Sequence, residues 1–201
     1  YAQATESSVD NELTTEEGKT LIDDLAAFGA PVMLFSGGEP LVRKDLPELA
    51  AHAVDRGMRA VISTNGTLIT ARVAKTLKSI GLSYVGISLD GMQTINDTFR
   101  GVPGAYDKAL DGIRNCQAAG IKVGLRFTIN RANVGDIPAI FDLLETMDIP
   151  RVCFYHLVYA GRGSKMVEED LSLEGTRQAV DLIIDRTRAL HDKGIDKEVL
   201  T

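Results

Sequence analysis

The chain alternates between short apolar runs and longer segments in which apolar residues recur every three to four positions. Runs such as 32–35 and 60–62 are typical of strands buried on both faces, and the periodic segments are typical of amphipathic helices. The apolar runs predict strands at 31–36, 59–66 (ending in a turn), 83–91, 121–130 and 151–163. The periodic segments predict helices at 15–28, 45–57, 70–81, 105–120, 137–148 and 172–194.

This alternation predicts an α/β fold with parallel strands. Successive strands start roughly 25 to 40 residues apart, which is the spacing of strand–helix units joined by right-handed crossovers. Five strands and six helices favour a partial barrel over a closed barrel of eight strands. A doubly wound open sheet stays a second interpretation of the same pattern.

Composition narrows the class of protein. Of the 201 residues, 44% are apolar and 25% are charged, so one soluble packed domain is expected. The net charge of −6 argues against a nucleic-acid partner. The chain has no apolar run long enough to span a membrane, so no membrane partner is expected. Only two cysteines are present, which argues against a disulfide framework and favours a cytoplasmic setting.

Small and polar residues follow each predicted strand. Ligands bind at the carboxyl ends of parallel strands, and glycine lets the backbone approach a ligand closely. Ordinary turns also favour Gly, Ser, Asn and Asp, but five such strand ends in one register favour a binding rim. These strand ends are 36–39, 63–66, 88–91, 128–130 and 159–163.

Three of these strand ends resemble a known family. Phe-Ser-Gly-Gly-Glu-Pro (35–40), Ser-Thr-Asn-Gly (63–66), Ser-Leu-Asp-Gly (88–91) and then Arg100 stand in the order found in radical S-adenosylmethionine (SAM) enzymes of the SPASM type. The resemblance covers essentially the whole chain. It implies a partial (β/α)6 TIM-like barrel, SAM as cofactor and a 4Fe-4S cluster. It also implies the family's reaction, in which the reduced cluster cleaves SAM and a 5′-deoxyadenosyl radical removes a hydrogen atom from the substrate.

The resemblance also implies that the cluster ligands lie outside this chain. The family holds its cluster with three cysteines in a CxxxCxxC loop after the first strand, and an aromatic residue such as Tyr1 commonly follows the last of them. Residues 1–201 are therefore expected to be a single core domain without its first strand, cluster loop and C-terminal extension, without metal ligands and inactive alone. Cys116 and Cys153 lack the spacing of a cluster loop and are expected to be small buried side chains.

The resemblance assigns several residues to the amino-acid end of SAM. Gly37, Gly38 and Glu39 are expected to receive the ammonium group with their backbone. Ser88 and Arg100 are expected to hold the carboxylate, since a guanidinium fork suits a carboxylate.

Other positions are assigned to the nucleoside. Ser63 and Asn65 are expected to face the cofactor, and Thr128 and Asn130 are expected to lie near the ribose and adenine.

Two further positions keep two interpretations each. Asp90 either touches the ribose or caps its turn. Leu157, placed on the last predicted strand, either packs against the adenine or belongs to the core.

The last predicted strand suggests a substrate. Segments 125–133 and 151–163 resemble the branch of the family that acts in heme d1 biosynthesis and removes propionate side chains from a siroheme-derived tetrapyrrole. Arg126 and Arg162 suit propionates, and Tyr155 and His156 are able to stack on or ligate a tetrapyrrole. A hydrogen-bonded core residue is the competing interpretation of His156.

Three other functions stay open. They are a tetrapyrrole decarboxylase of the alternative heme pathway, a peptide-modifying maturase of the SPASM type, and a non-catalytic (β/α) binding module that has lost its cluster. The enzyme interpretations imply a small-molecule or peptide substrate and an electron donor such as flavodoxin or ferredoxin.

Overall fold

A computed structural model describes residues 12–159, 164 and 166–201 of the chain. Within these residues, six strands form one parallel sheet in the order in which they occur along the chain. This order has no reversal point, so the doubly wound interpretation is wrong. The strands are β1 (Val32–Phe35), β2 (Arg59–Thr64), β3 (Tyr84–Ser88), β4 (Lys122–Thr128), β5 (Arg151–Tyr155) and β6 (Glu198–Leu200).

Helices precede, separate and follow most of the strands, which confirms the predicted alternation. Short polar residues and glycines set several helix ends: the Thr70 and Ser172 hydroxyls accept the backbone N–H groups of Val73 and Gly175, and Gly29 follows the first helix with a left-handed φ of 89°. The helices are α1 (Thr15–Phe28), α2 (Leu46–Asp55), α3 (Ala71–Ser79), α4 (Gln93–Arg100), α5 (Ala105–Ala118), α6 (Ile137–Thr146) and α7 (Leu173–Asp192).

Among the described residues, one α-helix and one strand were not predicted. Helix α4 has only eight residues and a mostly polar sequence, and β6 has three residues, so neither carries a readable apolar pattern. The last predicted strand is too long, because β5 ends at Tyr155 and 156–159 lie outside it. Leu157 therefore does not belong to a strand and is only half-buried. His156 is exposed, so its interpretation as a core residue is wrong.

The described residues form two compact units. The first unit contains residues up to Ile87 and Lys108–Val123, and the second contains Ser88–Asp107 and the residues from Gly124 onward. In the first unit, β2 pairs in parallel with β1 and β3, so that Ile62 lies beside Phe35 and Val85. All three of these side chains are buried and share one face of the sheet.

The opposite face of the strands in the first unit is partly open. Leu34 is 46% exposed, and it lies beside Val61 in the sheet. Ser63 comes two residues after Val61 on the same strand and is half-buried. Side chains alternate between the faces of a strand, so Ser63 lies on this open face and Thr64 on the helix-covered one.

The second unit has a core of aromatic side chains beneath β4 and β5. Phe154 lies edge-on to Phe127 and stacks on Phe141 of α6, with ring centroids 5.7 Å apart in both pairs. Each such pair contributes roughly 0.5–1.5 kcal/mol beyond its buried area. The opposite face of the same strands carries the half-buried Arg126 and Tyr155. This face therefore presents polar side chains that are able to contact a ligand.

None of the helices in the described part of the chain has the length and apolar character needed to cross a membrane.

Candidate functional site

The turn after β1 is held by a buried carboxylate. Glu39 is 6% exposed. Its Oε1 accepts hydrogen bonds from the Thr64 hydroxyl at 2.6 Å and the Leu41 N–H at 3.1 Å, and its Oε2 accepts one from the Asn65 N–H at 2.8 Å. Both oxygens thus serve donors of the protein, and the side chain ties the end of β1 to the end of β2. A ligand contact through the backbone of Glu39 stays a prediction.

The two glycines before Glu39 leave their backbone accessible. Ser36, Gly37 and Gly38 are all exposed. Gly37 has a φ of 136°, which L side chains rarely adopt, and a Cβ built there would meet nothing within 4 Å. Both the conformation and the open space suit a loop that presents its backbone to a ligand.

The turn after β2 is built around close backbone packing. The Thr64 hydroxyl accepts the Gly66 N–H at 3.0 Å, which extends the hydrogen-bond chain that begins at Glu39. A Cβ on Gly112 of α5 would lie 2.4 Å from the Gly66 carbonyl oxygen, so only glycine permits this approach. The Asn65 side-chain oxygen accepts the N–H and hydroxyl of Thr67 at 2.9 and 2.8 Å. The oxygen of Asn65 is therefore used inside its own turn.

In the second unit, Asp90 pairs with Arg100. The carboxylate Oδ2 of Asp90 makes an ion pair with Nη2 of Arg100, and the two side chains are only 6% and 11% exposed. The same nitrogen lies 3.4 Å from the Ser88 carbonyl oxygen. Burial raises the pKa of Asp90, while the charge of Arg100 opposes that rise. The structure thus brings together three residues that the sequence assigned to SAM.

Helix α4, which the sequence analysis missed, places Arg100. Its last turn ends at Gly101, which has a left-handed φ of 66°. Asp97 anchors the following chain, because its carboxylate accepts the backbone N–H groups of Gly104 at 2.6 Å and Tyr106 at 2.8 Å. Both hydrogen bonds lower the pKa of Asp97, and the one from Tyr106 has the larger effect.

The loop after β4 is organised by an asparagine that the sequence analysis did not single out. Asn133 is fully buried, and its Nδ2 donates to the carbonyl oxygens of Thr128 at 2.8 Å and Asp90 at 3.0 Å. Its Oδ1 accepts the Asn130 N–H at 2.8 Å. The spacing Asn130-Arg131-Ala132-Asn133 after a strand was the available signal, since asparagine often bonds nearby backbone.

Thr128 and Asn130, which were assigned to the nucleoside, differ in their surroundings. Thr128 is half-buried at the last position of β4. Asn130 is buried, and its Oδ1 accepts the Ala132 N–H at 2.9 Å, so that oxygen is used in its own loop. The contacts of Asn130 therefore support a role in shaping this loop.

The candidate substrate residues come together only in part. The guanidinium carbon of Arg126 lies 4.7 Å from the centre of the Tyr155 ring, which is a cation–π contact. Burial raises the pKa of Tyr155, and the charge of Arg126 opposes this. His156 follows directly and is exposed. Arg162 lies outside the described residues.

The two cysteines have different environments. Cys116 is buried in α5, as expected, and burial raises the pKa of its thiol to about 11, so it is a poor source of thiolate. Cys153 on β5 is half-buried, so the expectation of a buried side chain is wrong for it. No group of three or more His, Cys, Asp or Glu side chains in the described ranges is arranged to hold a metal ion. These thiols do not suit a 4Fe-4S cluster.

Comparisons with known proteins give the family context. The model of the radical SAM superfamily matches residues 3–144. The chain is 72% identical over 201 residues to Fe-coproporphyrin III synthase of Methanosarcina barkeri (strain Fusaro / DSM 804), covering 100% of this chain and 50% of that relative. It is 41% identical over 202 residues to pre-heme d1 synthase of Dinoroseobacter shibae (strain DSM 16493 / NCIMB 14021 / DFL 12), again covering 100% and 50%. The chain thus spans about half the length of these curated relatives.

Solved structures share the fold. Streptococcus suis SuiB bound to S-adenosylmethionine superposes with a TM-score of 0.81 at 16% identity, over 97% of this chain and 45% of that one. Native anSMEcpe with bound AdoMet gives a TM-score of 0.78 at 15% identity, over 99% and 58%. At such identities the likeness shows the fold alone, and it confirms the expected class of partial α/β barrel.

Proposed function

The chain belongs to the radical SAM superfamily, and we propose that the intact protein is an enzyme that converts a siroheme-derived tetrapyrrole to Fe-coproporphyrin III. The observation that carries this proposal is the 72% identity to Fe-coproporphyrin III synthase along all 201 residues. Identity to pre-heme d1 synthase falls to 41% over a similar length. This gap favours the alternative heme pathway over the heme d1 reaction that the sequence analysis preferred.

The family uses SAM and a 4Fe-4S cluster, and each unit has residues that suit one part of SAM. Together, a reduced cluster as electron source and bound SAM would supply the one-electron chemistry that removes a hydrogen atom from the substrate. The exposed backbone of Gly37 and Gly38 in the first unit suits an ammonium group, and Arg100 beside Ser88 in the second suits a carboxylate. The environments of Cys116 and Cys153 support cluster ligands that come from a part of the intact protein outside this chain.

For the tetrapyrrole, we propose Arg126 as a ligand of one propionate. Its guanidinium lies against the Tyr155 ring on the half-buried face of β4 and β5. A guanidinium that rests on an aromatic ring is held in orientation for a planar carboxylate. His156 and Arg162 stay predicted substrate contacts.

The direct test is product identification. The intact protein, reconstituted anaerobically and supplied with reductant and SAM, is incubated with 12,18-didecarboxysiroheme, and the products are identified by liquid chromatography with mass spectrometry. Fe-coproporphyrin III together with 5′-deoxyadenosine is expected. Loss of propionates instead would support the heme d1 reaction. In a parallel incubation with candidate peptides, modification of a peptide without conversion of the tetrapyrrole would support the maturase. Absence of both the cluster and 5′-deoxyadenosine would support a non-catalytic module.

A substitution tests the role of Arg126. Arg126→Gln is expected to raise the KM for the tetrapyrrole about tenfold, which corresponds to roughly 1.4 kcal/mol and to one charge-assisted hydrogen bond. Arg114→Gln is the matched control, because Arg114 is 60% exposed and pairs only with its helix neighbour Asp111 in the contacts described for it. An unchanged KM in Arg126→Gln would remove Arg126 from the substrate site.

The partners belong to the same proposal. A flavodoxin or ferredoxin as electron donor follows from the one-electron chemistry of the family. A cytoplasmic setting agrees with Cys116 and Cys153 both being free thiols.

A further inference from the structure

Asp90 is held in place by three separate contacts. Its N–H donates to Oδ1 of Asn96 at 3.0 Å, and its carbonyl oxygen accepts Nδ2 of Asn133 at 3.0 Å. Its carboxylate makes the ion pair with Arg100. Asn96 and Asn133 are 2% and 0% exposed. The backbone of Asp90 is thus fixed from two sides, and the ion pair with Arg100 sets the direction of its side chain.

That direction points the carboxylate at a guanidinium. Asp90 and Arg100 side chains are almost wholly buried, and Nη2 of Arg100 also faces the Ser88 carbonyl oxygen. A carboxylate in this position limits the rotamers of the arginine. A guanidinium carries five N–H donors in a planar fork, so one such group is able to contact two carboxylates together.

The same burial argues against a ribose contact by Asp90. A ribose hydroxyl would have to reach a carboxylate that is 6% exposed and already paired with a cation. Displacing the cation would leave two buried charges without partners, which is strongly unfavourable. The turn-cap interpretation also falls short, because the contact described for the carboxylate is with Arg100 and not with the backbone of its own turn.

We propose that Asp90 is a positioning residue that orients the guanidinium of Arg100 toward the carboxylate of an amino-acid ligand and makes no contact with the nucleoside. This inference rests on the proposed function, because it takes the ligand to be SAM. It assigns Asp90 to the amino-acid end of the cofactor, where its effect is indirect.

Two ligands separate this role from a nucleoside contact. SAM carries the amino-acid carboxylate, whereas 5′-methylthioadenosine has the same nucleoside without it. Equilibrium dialysis with the intact, reconstituted protein measures both affinities without relying on turnover. Asp90→Asn is expected to weaken SAM binding about threefold to tenfold, the usual effect of one lost preorganised side chain, and to leave 5′-methylthioadenosine binding unchanged.

A double-mutant cycle shows whether Asp90 acts through Arg100. In an Arg100→Gln background, Asp90→Asn is expected to have no further effect on SAM affinity. Asp90→Glu keeps the charge but displaces it, so it is expected to show the same selective loss, and it carries the test if Asp90→Asn does not fold. Asp185→Asn is the control for charge removal, because Asp185 is 74% exposed.

Each outcome is decisive. Equal weakening of both ligands, unchanged or tighter SAM binding in Asp90→Asn, or an undiminished effect in the Arg100→Gln background overturns the role of Asp90 and leaves the proposed function in place. Failure of the unaltered protein to bind SAM overturns the proposed function and this inference with it.

Discussion

Glu39 in the first unit and Asp90 in the second are both buried carboxylates that follow a strand, but their partners differ. Glu39 accepts hydrogen bonds from one hydroxyl and two backbone N–H groups. Asp90 faces the guanidinium of Arg100. Hydrogen bonds to backbone hold the shape of a turn, whereas an ion pair holds a charged side chain. The comparison indicates that the first carboxylate holds the shape of its turn, whereas the second holds Arg100, the residue proposed to bind the ligand.

Breaking the ion pair is expected to have the largest effect on stability. Arg100→Ala leaves the Asp90 carboxylate buried without its cation and should lower the free energy of unfolding by about 3–5 kcal/mol. Urea unfolding of the intact protein measures it. Arg114→Ala breaks an exposed pair with Asp111 and should cost less than about 1 kcal/mol. Similar decreases in the free energy of unfolding in both variants would mean that the buried Asp90–Arg100 pair stabilises the protein no more than an exposed pair does.

Removing the charge of Glu39 is expected to have the next largest effect. Glu39→Gln keeps the shape but turns an amide NH2 toward one of three donors, so it should lower the free energy of unfolding by about 1.5–3 kcal/mol. Unfolding titrations compare it with Glu174→Gln, an exposed glutamate of α7 that bonds Gln178. If Glu39→Gln were as stable as the unaltered protein, the turn after β1 would not depend on the carboxylate.

Removing one neutral partner of Glu39 should cost less. Thr64→Val deletes the hydroxyl that donates to Glu39 and accepts from Gly66. The free energy of unfolding is expected to fall by about 1 kcal/mol. Together with Glu39→Gln, Thr64→Val forms a double-mutant cycle in which the two losses are not additive. Strict additivity would show that the two side chains act independently.

The smallest expected effect is a pH dependence of the free energy of unfolding. It extends the comparison to Asp97, which accepts backbone N–H groups as Glu39 does. The pKa of Asp97 is lowered below 3.8 by these donors, so its stabilisation is present above pH 3.8 and is lost as the pH falls through its folded pKa. The pKa of Asp90 is raised above 3.8 by burial, so its contribution declines as the pH rises from 3.8 toward its folded pKa.

The two aspartates should therefore show opposite trends. The difference in unfolding free energy between the unaltered protein and Asp97→Asn should shrink toward low pH, and that for Asp90→Asn should shrink toward high pH. Denaturant titrations at several values between about pH 3 and pH 6 measure both differences. Trends of the same sign would contradict the assignment of the two environments.

Much of the fold follows from local patterns. The five predicted strands and six predicted helices are all present, with shifted ends in every case but α1, because apolar spacing reports which segments are buried. Helix α4 and strand β6 were missed because both are short and depend on their neighbours for stability. The order of the motifs around Glu39, Asp90 and Arg100 was enough to predict the family, since each motif lies in one short segment.

The sequence by itself determined the alternation of strands and helices, the glycine-rich strand ends and the family, because each of these lies in the order of neighbouring residues. Only the tertiary structure decided which partner each polar side chain meets. The Glu39 carboxylate meets the hydroxyl of Thr64, 25 residues further along, and the Asn133 side-chain amide meets the backbone carbonyl oxygen of Asp90, 43 residues away. Such pairs form because folding brings distant segments together and removes water from them, so that each buried polar group must find a partner within the protein.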